Sequence, residues 1–239
     1  MLKTMADTTR YAIYYASEPD SELDRFGAHL LGYDASRGKE LPFPDGVEAA
    51  VPDWRELTQD PRKYGFHATL KAPLSLAQDK TEAGLIAACD AFAAIPRKIP
   101  VIKPVVNVLG DFIAVVPAER SVELVHLAAD CVGAFDSFRA PLAEKDRARR
   151  NPERLTQRQR DYLGRWGYPY VMEEFRFHMT LTGRLAAERR EALLAMLRQR
   201  FAALNLASLA IDRIALFRQA DANSRFTVLR QYALAPARE

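Results

Sequence analysis

Two of the four histidines in this 239-residue sequence lie in the same short frame, Phe-His-x-Thr-Leu. The first copy contains His67 and Thr69, and the second contains His178 and Thr180. In a β-strand alternate side chains point to opposite faces, so each histidine shares a face with its threonine. An imidazole beside a hydroxyl, presented twice, predicts an acid–base pair with two hydroxyl donors for an anion. The alternative is a pair of half-buried strands with ordinary polar faces.

The composition is that of a folded protein with a sizeable core. Hydrophobic residues make up 49% and charged residues 27%, and the formal net charge of +3 is too small to argue for nucleic-acid binding by itself. Cys89 and Cys131 lie in apolar, helix-like segments without metal or disulfide spacing, which favours a reducing, cytoplasmic compartment. No apolar run reaches the length of a membrane span, so we expect no membrane partner.

The predicted elements repeat in the same order in the two halves. Each His strand is followed by a helix, a strand, a turn and a final strand. The turn at Gly110 lies 43 positions after His67 (110 − 67), and the turn at Ala222 lies 44 positions after His178 (222 − 178). The predicted strands are 10–17, 66–72, 99–109, 112–117, 175–182, 208–217 and 225–235. This repetition indicates an internal duplication.

The duplication predicts an α+β fold, with residues 1–239 forming a single bilobal domain. We expect two antiparallel sheets, backed by helices, around a central cleft. Lobe one is predicted at about 8–118 and lobe two at about 119–239, each with one His strand. A pseudo-twofold axis would then bring the two His strands face to face across the cleft.

Two segments outside the repeat are candidates for walls of the cleft. Residues 32–65 are long and irregular, and would form either a wall or a surface excursion. Residues 139–170 interleave many basic residues with acidic ones and then turn aromatic, with Tyr168 among them. This second segment is either a rim that offers positive charge and aromatic surface to a phosphate, or a solvated helix with alternating charges.

Further residues are candidates for binding a phosphate-containing substrate. Lys71 shares the strand face of His67 if the alternation persists, and Arg176 shares that of His178. Each would hold phosphate charge or would be a surface cation. Tyr14, or its neighbour Tyr15, would line the cleft from the first strand, on a face that the strand register decides.

With both motifs and the duplicated order in view, the chain resembles the 2H phosphoesterase superfamily, in which two His-x-Thr/Ser motifs lie on opposed strands of a bilobal α+β fold. Residues 63–71, 165–170 and 175–183 resemble the branch found in bacterial phosphonate-utilisation operons. The resemblance implies chemistry on phosphodiesters, often cyclic ones, without a metal ion or another cofactor.

We therefore predict a phosphodiesterase that hydrolyses a small cyclic phosphodiester. One neutral imidazole would take a proton from water, and the other, protonated, would donate to the leaving oxygen. Thr69 and Thr180 would donate to the non-bridging oxygens. The sequence does not decide which histidine is the base. The branch resemblance points to a ribose cyclic phosphate, such as 5-phosphoribosyl 1,2-cyclic phosphate.

The sequence leaves two alternatives open. One is a binding module that holds a nucleotide or sugar phosphate without turning it over. The other is a 2′,3′-cyclic phosphodiesterase or ligase-like protein that acts on RNA ends. The Arg-rich segment 147–165 could supply the basic track that such a protein needs, but its interspersed acidic residues are unfavourable. We expect the protein to be a monomer.

Overall fold

The strands join mainly into one antiparallel sheet in the computed structural model, which describes residues 9–237. The strands are β1 (Arg10–Tyr15), β2 (Tyr33–Asp34), β3 (Lys39–Glu40), β4 (Ala68–Leu74), β5 (Val101–Ile102), β6 (Pro104–Leu109), β7 (Phe112–Pro117), β8 (Met179–Thr180), β9 (Leu209–Ala210), β10 (Arg213–Gln219) and β11 (Thr227–Ala233).

Helices lie between these strands and cover mainly one face of the sheet. The α-helices are α1 (Glu22–Leu31), α2 (Val47–Ala50), α3 (Trp54–Leu57), α4 (Gln59–Arg62), α5 (Glu82–Ala93), α6 (Val122–Phe135), α7 (Glu144–Ala148), α8 (Gln157–Trp166) and α9 (Ala187–Ala202). Short 3-10 turns occur at Asp136–Phe138, Pro152–Arg154 and Met172–Glu174. None of the helices within residues 9–237 is long and apolar enough to cross a membrane.

The two His strands are neighbours at the centre of a seven-stranded sheet with the order β11-β10-β1-β4-β8-β7-β6. All of its pairings are antiparallel. The predicted α+β class, with antiparallel strands and helices, is confirmed. The His strands lie side by side within one sheet, whereas the sequence predicts two sheets with these strands face to face. The reason is the direct pairing of β4 with β8.

The repeated order of elements is also present in the structure. The first half runs β4, α5, β6 and β7, and the second runs β8, α9, β10 and β11. Strands at equivalent places in the two halves pair with each other: β4 pairs with β8 through Ala68 and Met179, and β5 pairs with β9. Ala68 and Met179 are 111 positions apart (179 − 68), the same separation as His67 and His178 (178 − 67), so equivalent residues meet at the middle of the sheet.

The hairpins are exchanged between the halves. The β10–β11 hairpin, from the second half of the chain, joins β1 beside the first His strand. The β6–β7 hairpin, from the first half, joins the second His strand. The predicted lobe boundaries, at about 8–118 and 119–239, do not match this pairing. Local sequence defines a hairpin but not the distant strand that it joins.

The apolar residues of the two frames point into the main core, as the alternation predicts. Phe66 and Phe177 are each 5% exposed, and Leu70 and Leu181 are at or below 2%. They pack under the helices in the larger buried cluster. A smaller cluster lies on the opposite face of the sheet and consists of Ala12, Tyr14, Ala16, Ala215, Phe217 and Phe226. The histidines and threonines therefore lie on the face that carries this smaller aromatic cluster.

Candidate active site

The pairing of β4 with β8 places the four motif side chains together. Continuing the antiparallel register by one residue in each direction sets His67 opposite Thr180 and Thr69 opposite His178. Side chains directly opposite each other on one face have Cβ atoms about 4.5–5.5 Å apart. Each histidine thus lies opposite the threonine of the other motif, which the sequence alone did not specify.

Both imidazole rings are fixed by the same backbone hydrogen bond. Nδ1 of His67 lies 2.9 Å from the carbonyl oxygen of Gly65, and Nδ1 of His178 lies 2.7 Å from that of Arg176. Because a carbonyl oxygen only accepts, each Nδ1 carries the hydrogen and each Nε2 is left for chemistry. Nε2 of His67 lies 3.3 Å from Oγ1 of Thr69.

Two adjoining cavities meet at His178 and form a cleft beside the four motif side chains. The histidine cavity, of about 500 Å³, is lined by Asp60, Pro61, Tyr64, His67, Asp111, Phe112, Arg150, His178, Thr180, Thr182, Gly183 and Arg184. The aromatic cavity, of about 450 Å³, is lined by Thr69, Leu109, Gly110, Asp111, Phe112, Gln159, Tyr168, Tyr170, Glu174, Phe175, Arg176 and His178. Both histidines and both threonines therefore line one continuous cleft of a size that suits a small ligand.

The surroundings of His67 are strongly apolar. Its ring stacks on Tyr14, with centroids 3.9 Å apart and planes inclined by 26°, and Phe217 lies at 6.1 Å. Burial lowers the pKa of His67 to about 4; the hydrogen bond to Gly65 opposes this shift and the nearby His178 adds to it. The free protein therefore holds His67 neutral at pH 7.

His178 has a related but less enclosed environment. The ring of Phe112, the first residue of β7, lies 5.6 Å from the His178 ring between centroids. Burial lowers the pKa of His178, and the hydrogen bond to the carbonyl of Arg176 acts in the opposite direction. Both Nε2 atoms are therefore unprotonated acceptors in the free protein at neutral pH.

A comparison with known protein families assigns this chain to one of them. Residues 69–227 match the family described as protein of unknown function, DUF1045. The chain belongs to this family. The match begins at Thr69 in the first motif and includes the whole of the second motif.

Curated relatives of this DUF1045 chain are longer proteins. It is 37% identical over 221 residues to a protein named ribose 1,5-bisphosphate phosphokinase PhnN from Janthinobacterium sp. (strain Marseille). The aligned region covers 88% of this chain and 48% of that protein. It is 33% identical over 178 residues to a protein of the same name from Laribacter hongkongensis (strain HLHK9), with coverages of 74% and 40%. The chain thus spans about half the length of these relatives or less.

Solved structures show more distant likenesses. E. coli LigT complexed with NADP+ aligns with a TM-score of 0.43 and 14% identity over 96% of this chain and 99% of that one. A conserved protein of unknown function, ATU0111 from Agrobacterium tumefaciens str. C58, aligns with a TM-score of 0.45 and 13% identity over 93% and 85%. Since both TM-scores lie below 0.5, the assignment of the fold rests on the strand pairing.

Two of the predicted binding residues of the DUF1045 chain line the cleft. Tyr168 and Arg176 both line the aromatic cavity. Arg176 is exposed and its backbone carbonyl also holds His178. Their contact with a substrate stays a prediction.

The prediction for Lys71 is wrong. Lys71 is 2% exposed and lines neither cavity of the cleft; its Nζ lies 2.6 Å from Oδ1 of Asp136 and 3.1 Å from the carbonyl oxygen of Val132. The register of β4 against β1 shifts between Thr69 and Lys71, so the alternation on which the prediction depended is broken there. The ammonium group is therefore committed to a buried ion pair.

The prediction for Tyr14 is also corrected. Tyr14 does lie on the face of His67, but it is 1% exposed and lines neither cavity of the cleft. Its ring supports the imidazole from below, where a substrate would not touch it. Tyr15 points the other way, into the main core, with Phe177 at 5.9 Å.

The segments outside the repeat supply much of the cleft wall. Residues 32–65 contribute Asp60, Pro61 and Tyr64 to the histidine cavity, which favours the reading of this segment as a wall. Residues 139–170 contribute Arg150 to the histidine cavity, and Gln159, Tyr168 and Tyr170 to the aromatic one.

Some cleft residues were not found from the sequence. Asp111 and Phe112 come from the β6–β7 hairpin, and Arg184 follows the second motif. No spacing or composition marks these residues, because the hairpin reaches His178 only through its exchange between the halves. Within residues 9–237, no group of three or more His, Cys, Asp or Glu side chains is placed to share a metal ion.

Proposed function

We propose that this chain is a 2H-type phosphodiesterase that opens a small cyclic phosphodiester with His67 and His178 as an acid–base pair. The observation that carries the proposal is the pairing register of β4 with β8, in which each histidine lies opposite the threonine of the other motif. Both Nδ1 atoms are tied to backbone carbonyls, so two Nε2 atoms serve one cleft.

The reaction needs one histidine neutral and the other protonated. An anionic phosphodiester beside two neutral imidazoles raises their pKa values, and one of them takes up a proton on binding. The neutral Nε2 takes a proton from water as the water oxygen bonds to phosphorus. The protonated Nε2 gives its proton to the ester oxygen as its bond to phosphorus breaks. Either histidine fits either role.

The threonines complete the site electrostatically. Thr69 and Thr180 both line the cleft, as the two histidines do. Their hydroxyl groups would donate hydrogen bonds to the non-bridging oxygens, on which negative charge grows in the transition state. The negative charge is thus met by fixed donors instead of reorganising water.

For the substrate we infer a ribose cyclic phosphate. The cleft has the size of a small-molecule site. The two curated relatives bear a name that concerns ribose 1,5-bisphosphate. Cleavage of the bond between phosphorus and the 2-oxygen of 5-phosphoribosyl 1,2-cyclic phosphate would yield that compound, which supports this substrate class.

A nucleoside 2′,3′-cyclic phosphate is the second candidate. Tyr168 and Tyr170 line the aromatic cavity with ring centroids 5.6 Å apart in an edge-to-face arrangement, and Tyr170 is 46% exposed. Exposed aromatic rings of this kind offer a surface on which a base can stack. A binding module without turnover would use the same contacts.

The deciding experiment is phosphorus NMR on the purified, EDTA-treated protein. The panel consists of ribose cyclic phosphates, nucleoside 2′,3′-cyclic phosphates and a cyclic dinucleotide. We expect one cyclic resonance to be replaced by that of a phosphate monoester, with loss of this turnover in His67→Ala and in His178→Ala. His126→Ala is the matched control, since His126 is an exposed histidine outside the cleft. Tight binding without turnover of any member would instead support the binding module.

A further inference from the structure

Arg150 brings a positive charge into the histidine cavity that the chemistry above does not use. It lies in the turn after α7 and lines the cavity together with His67 and His178. The side chain is half-buried, and its guanidinium carbon lies 4.8 Å from the centroid of the Tyr168 ring. In the part of the chain that the structure describes, no carboxylate forms an ion pair with Arg150.

The neighbouring cations differ from Arg150 in this respect. Arg184 also lines the histidine cavity, but its side chain is 89% exposed and lies 3.5 Å from Asp111. Arg149, the preceding residue, is exposed and forms an ion pair with Asp146. The charge of Arg150 is therefore the one in this cavity that a ligand can take up without displacing a carboxylate.

Two tyrosine residues line the cleft together with Arg150. Tyr64 lines the histidine cavity, where its ring stacks on Phe226 with centroids 5.2 Å apart. Tyr168 lies under the guanidinium group. Burial raises the pKa of Tyr168, Arg150 opposes that shift, and Tyr64 adds to it, so Arg150 and Tyr64 each lie within electrostatic reach of Tyr168. Phenol hydroxyl groups near a guanidinium group can donate hydrogen bonds to an anion.

We propose that Arg150, with the hydroxyl groups of Tyr64 and Tyr168, forms a second anion subsite that holds a phosphate monoester on the same substrate. A guanidinium group matches the oxygens of a phosphate with two parallel hydrogen bonds. The inference rests on the proposed function of the cleft and narrows it: the substrate is a sugar that carries a monoester besides its cyclic ester. The carboxylates in this cavity belong to Asp60 and Asp111, and Asp111 is paired with Arg184.

A binding measurement tests the subsite independently of turnover. Ribose 5-phosphate carries the monoester without a cyclic ester, and ribose is the uncharged comparison. By titration calorimetry we expect the wild-type protein to bind ribose 5-phosphate more tightly than ribose. Arg150→Met should weaken the binding of ribose 5-phosphate about 10- to 100-fold, as expected for loss of a charged hydrogen-bonding partner. Arg149→Met should stay within about twofold of wild type.

Kinetics on a matched pair of cyclic phosphates, with and without the monoester, separate the subsite from the reacting phosphate. Arg150→Met should raise KM for the substrate with the monoester and leave kcat/KM for the other unchanged. If Arg150→Met lowered kcat equally for both substrates, Arg150 would instead act at the reacting phosphate, and the subsite proposal would be overturned. Failure of the wild-type protein to bind ribose 5-phosphate, or equal binding by Arg150→Met, would also overturn it. Because the binding readout requires no turnover, failure of the phosphodiesterase proposal is detected separately.

Discussion

The ring of Tyr14 lies face to face with the imidazole of His67, with centroids 3.9 Å apart. Tyr14 belongs to β1 and is paired in register with Thr69 of β4. The stack holds one face of the imidazole, and the hydrogen bond from Nδ1 to Gly65 fixes the rotation of the ring. Together they leave His67 one orientation, with Nε2 toward the cleft.

The first prediction concerns this stack. Tyr14→Phe keeps the ring and should change kcat by no more than about twofold. Tyr14→Leu removes the flat face, allows the imidazole to tilt, and should lower kcat about 10- to 100-fold, because small misplacement of a catalytic group is costly. The measurement is steady-state turnover of the cyclic phosphodiester identified by NMR, with folding checked by circular dichroism. Equal kcat values for Tyr14→Phe and Tyr14→Leu would show that the stack has no positioning role.

Strand alternation predicted the face of each residue in the first motif, but it failed further along β4. The repeated frame correctly places Phe66 and Leu70 in the core, because strand alternation is a local property. The same alternation fails at Lys71, where a register shift against β1 turns the side chain inward. Register shifts depend on the neighbouring strand, so the sequence of β4 alone carries no sign of them.

The strand neighbours of the motifs were also beyond the sequence. The duplication was visible in the spacing of elements, yet the exchange of hairpins was not. Phe112 reaches His178 only because the β6–β7 hairpin joins β8. Likewise, Phe217 lies under His67 because β10 joins β1. Contacts between distant strands depend on the packing of the whole sheet, which no local pattern specifies.

The second prediction concerns the buried ion pair of Lys71. Lys71→Met keeps the length of the side chain but leaves Asp136 with Arg139 as its remaining ion-pair partner. We expect a loss of about 1–3 kcal/mol in the free energy of unfolding, as for removal of one partner of a charged hydrogen bond. KM should stay within about twofold of wild type, because Lys71 lies outside the cleft. Urea unfolding and steady-state kinetics measure the two quantities.

An exposed ion pair provides the control for Lys71. Lys98 and Glu123 lie 2.7 Å apart on the surface, and the Lys98 side chain is 78% exposed. Lys98→Met should leave the stability nearly unchanged, as is usual for exposed pairs. A large rise in KM for Lys71→Met without loss of stability would restore the sequence-based assignment of Lys71 to the substrate.

The third prediction follows from the pKa of His67, which is about 4 in the folded protein against an ordinary value of 6.5. Between these two pH values the unfolded chain binds a proton at His67 that the folded chain does not. This group therefore lowers the stability as the pH falls from 6.5 to 4 and has no effect on it above 6.5. At about 1.4 kcal/mol per pH unit, the loss at pH 4.5 is of order 2–3 kcal/mol.

Urea unfolding at pH 7.5 and pH 4.5 measures this dependence. His67→Gln has no imidazole to protonate, so the variant should lose about 2–3 kcal/mol less than wild type between the two pH values. The control is His126→Gln, which replaces an exposed histidine and should behave as wild type. The same pH dependence in His67→Gln as in wild type would contradict a depressed pKa at His67.

The last prediction distinguishes Thr180 of β8 from Thr182, which lies two residues further along the chain. Both border the histidine cavity, and Thr180 lies opposite His67. Thr182 is fully buried, and its Oγ1 accepts a hydrogen bond from the backbone N–H of Ile113 at 3.0 Å. Thr180→Val removes a donor to the reacting phosphate and should lower kcat about 10²- to 10³-fold with little loss of stability. Thr180→Ser restores the hydroxyl group and should recover most of that rate.

Thr182→Val should instead destabilise the fold by about 1–3 kcal/mol, because it leaves a buried N–H unpaired. Measured together, kcat and urea unfolding therefore separate the two threonines, and a kcat for Thr180→Val equal to that of wild type would exclude Thr180 from stabilising the transition state.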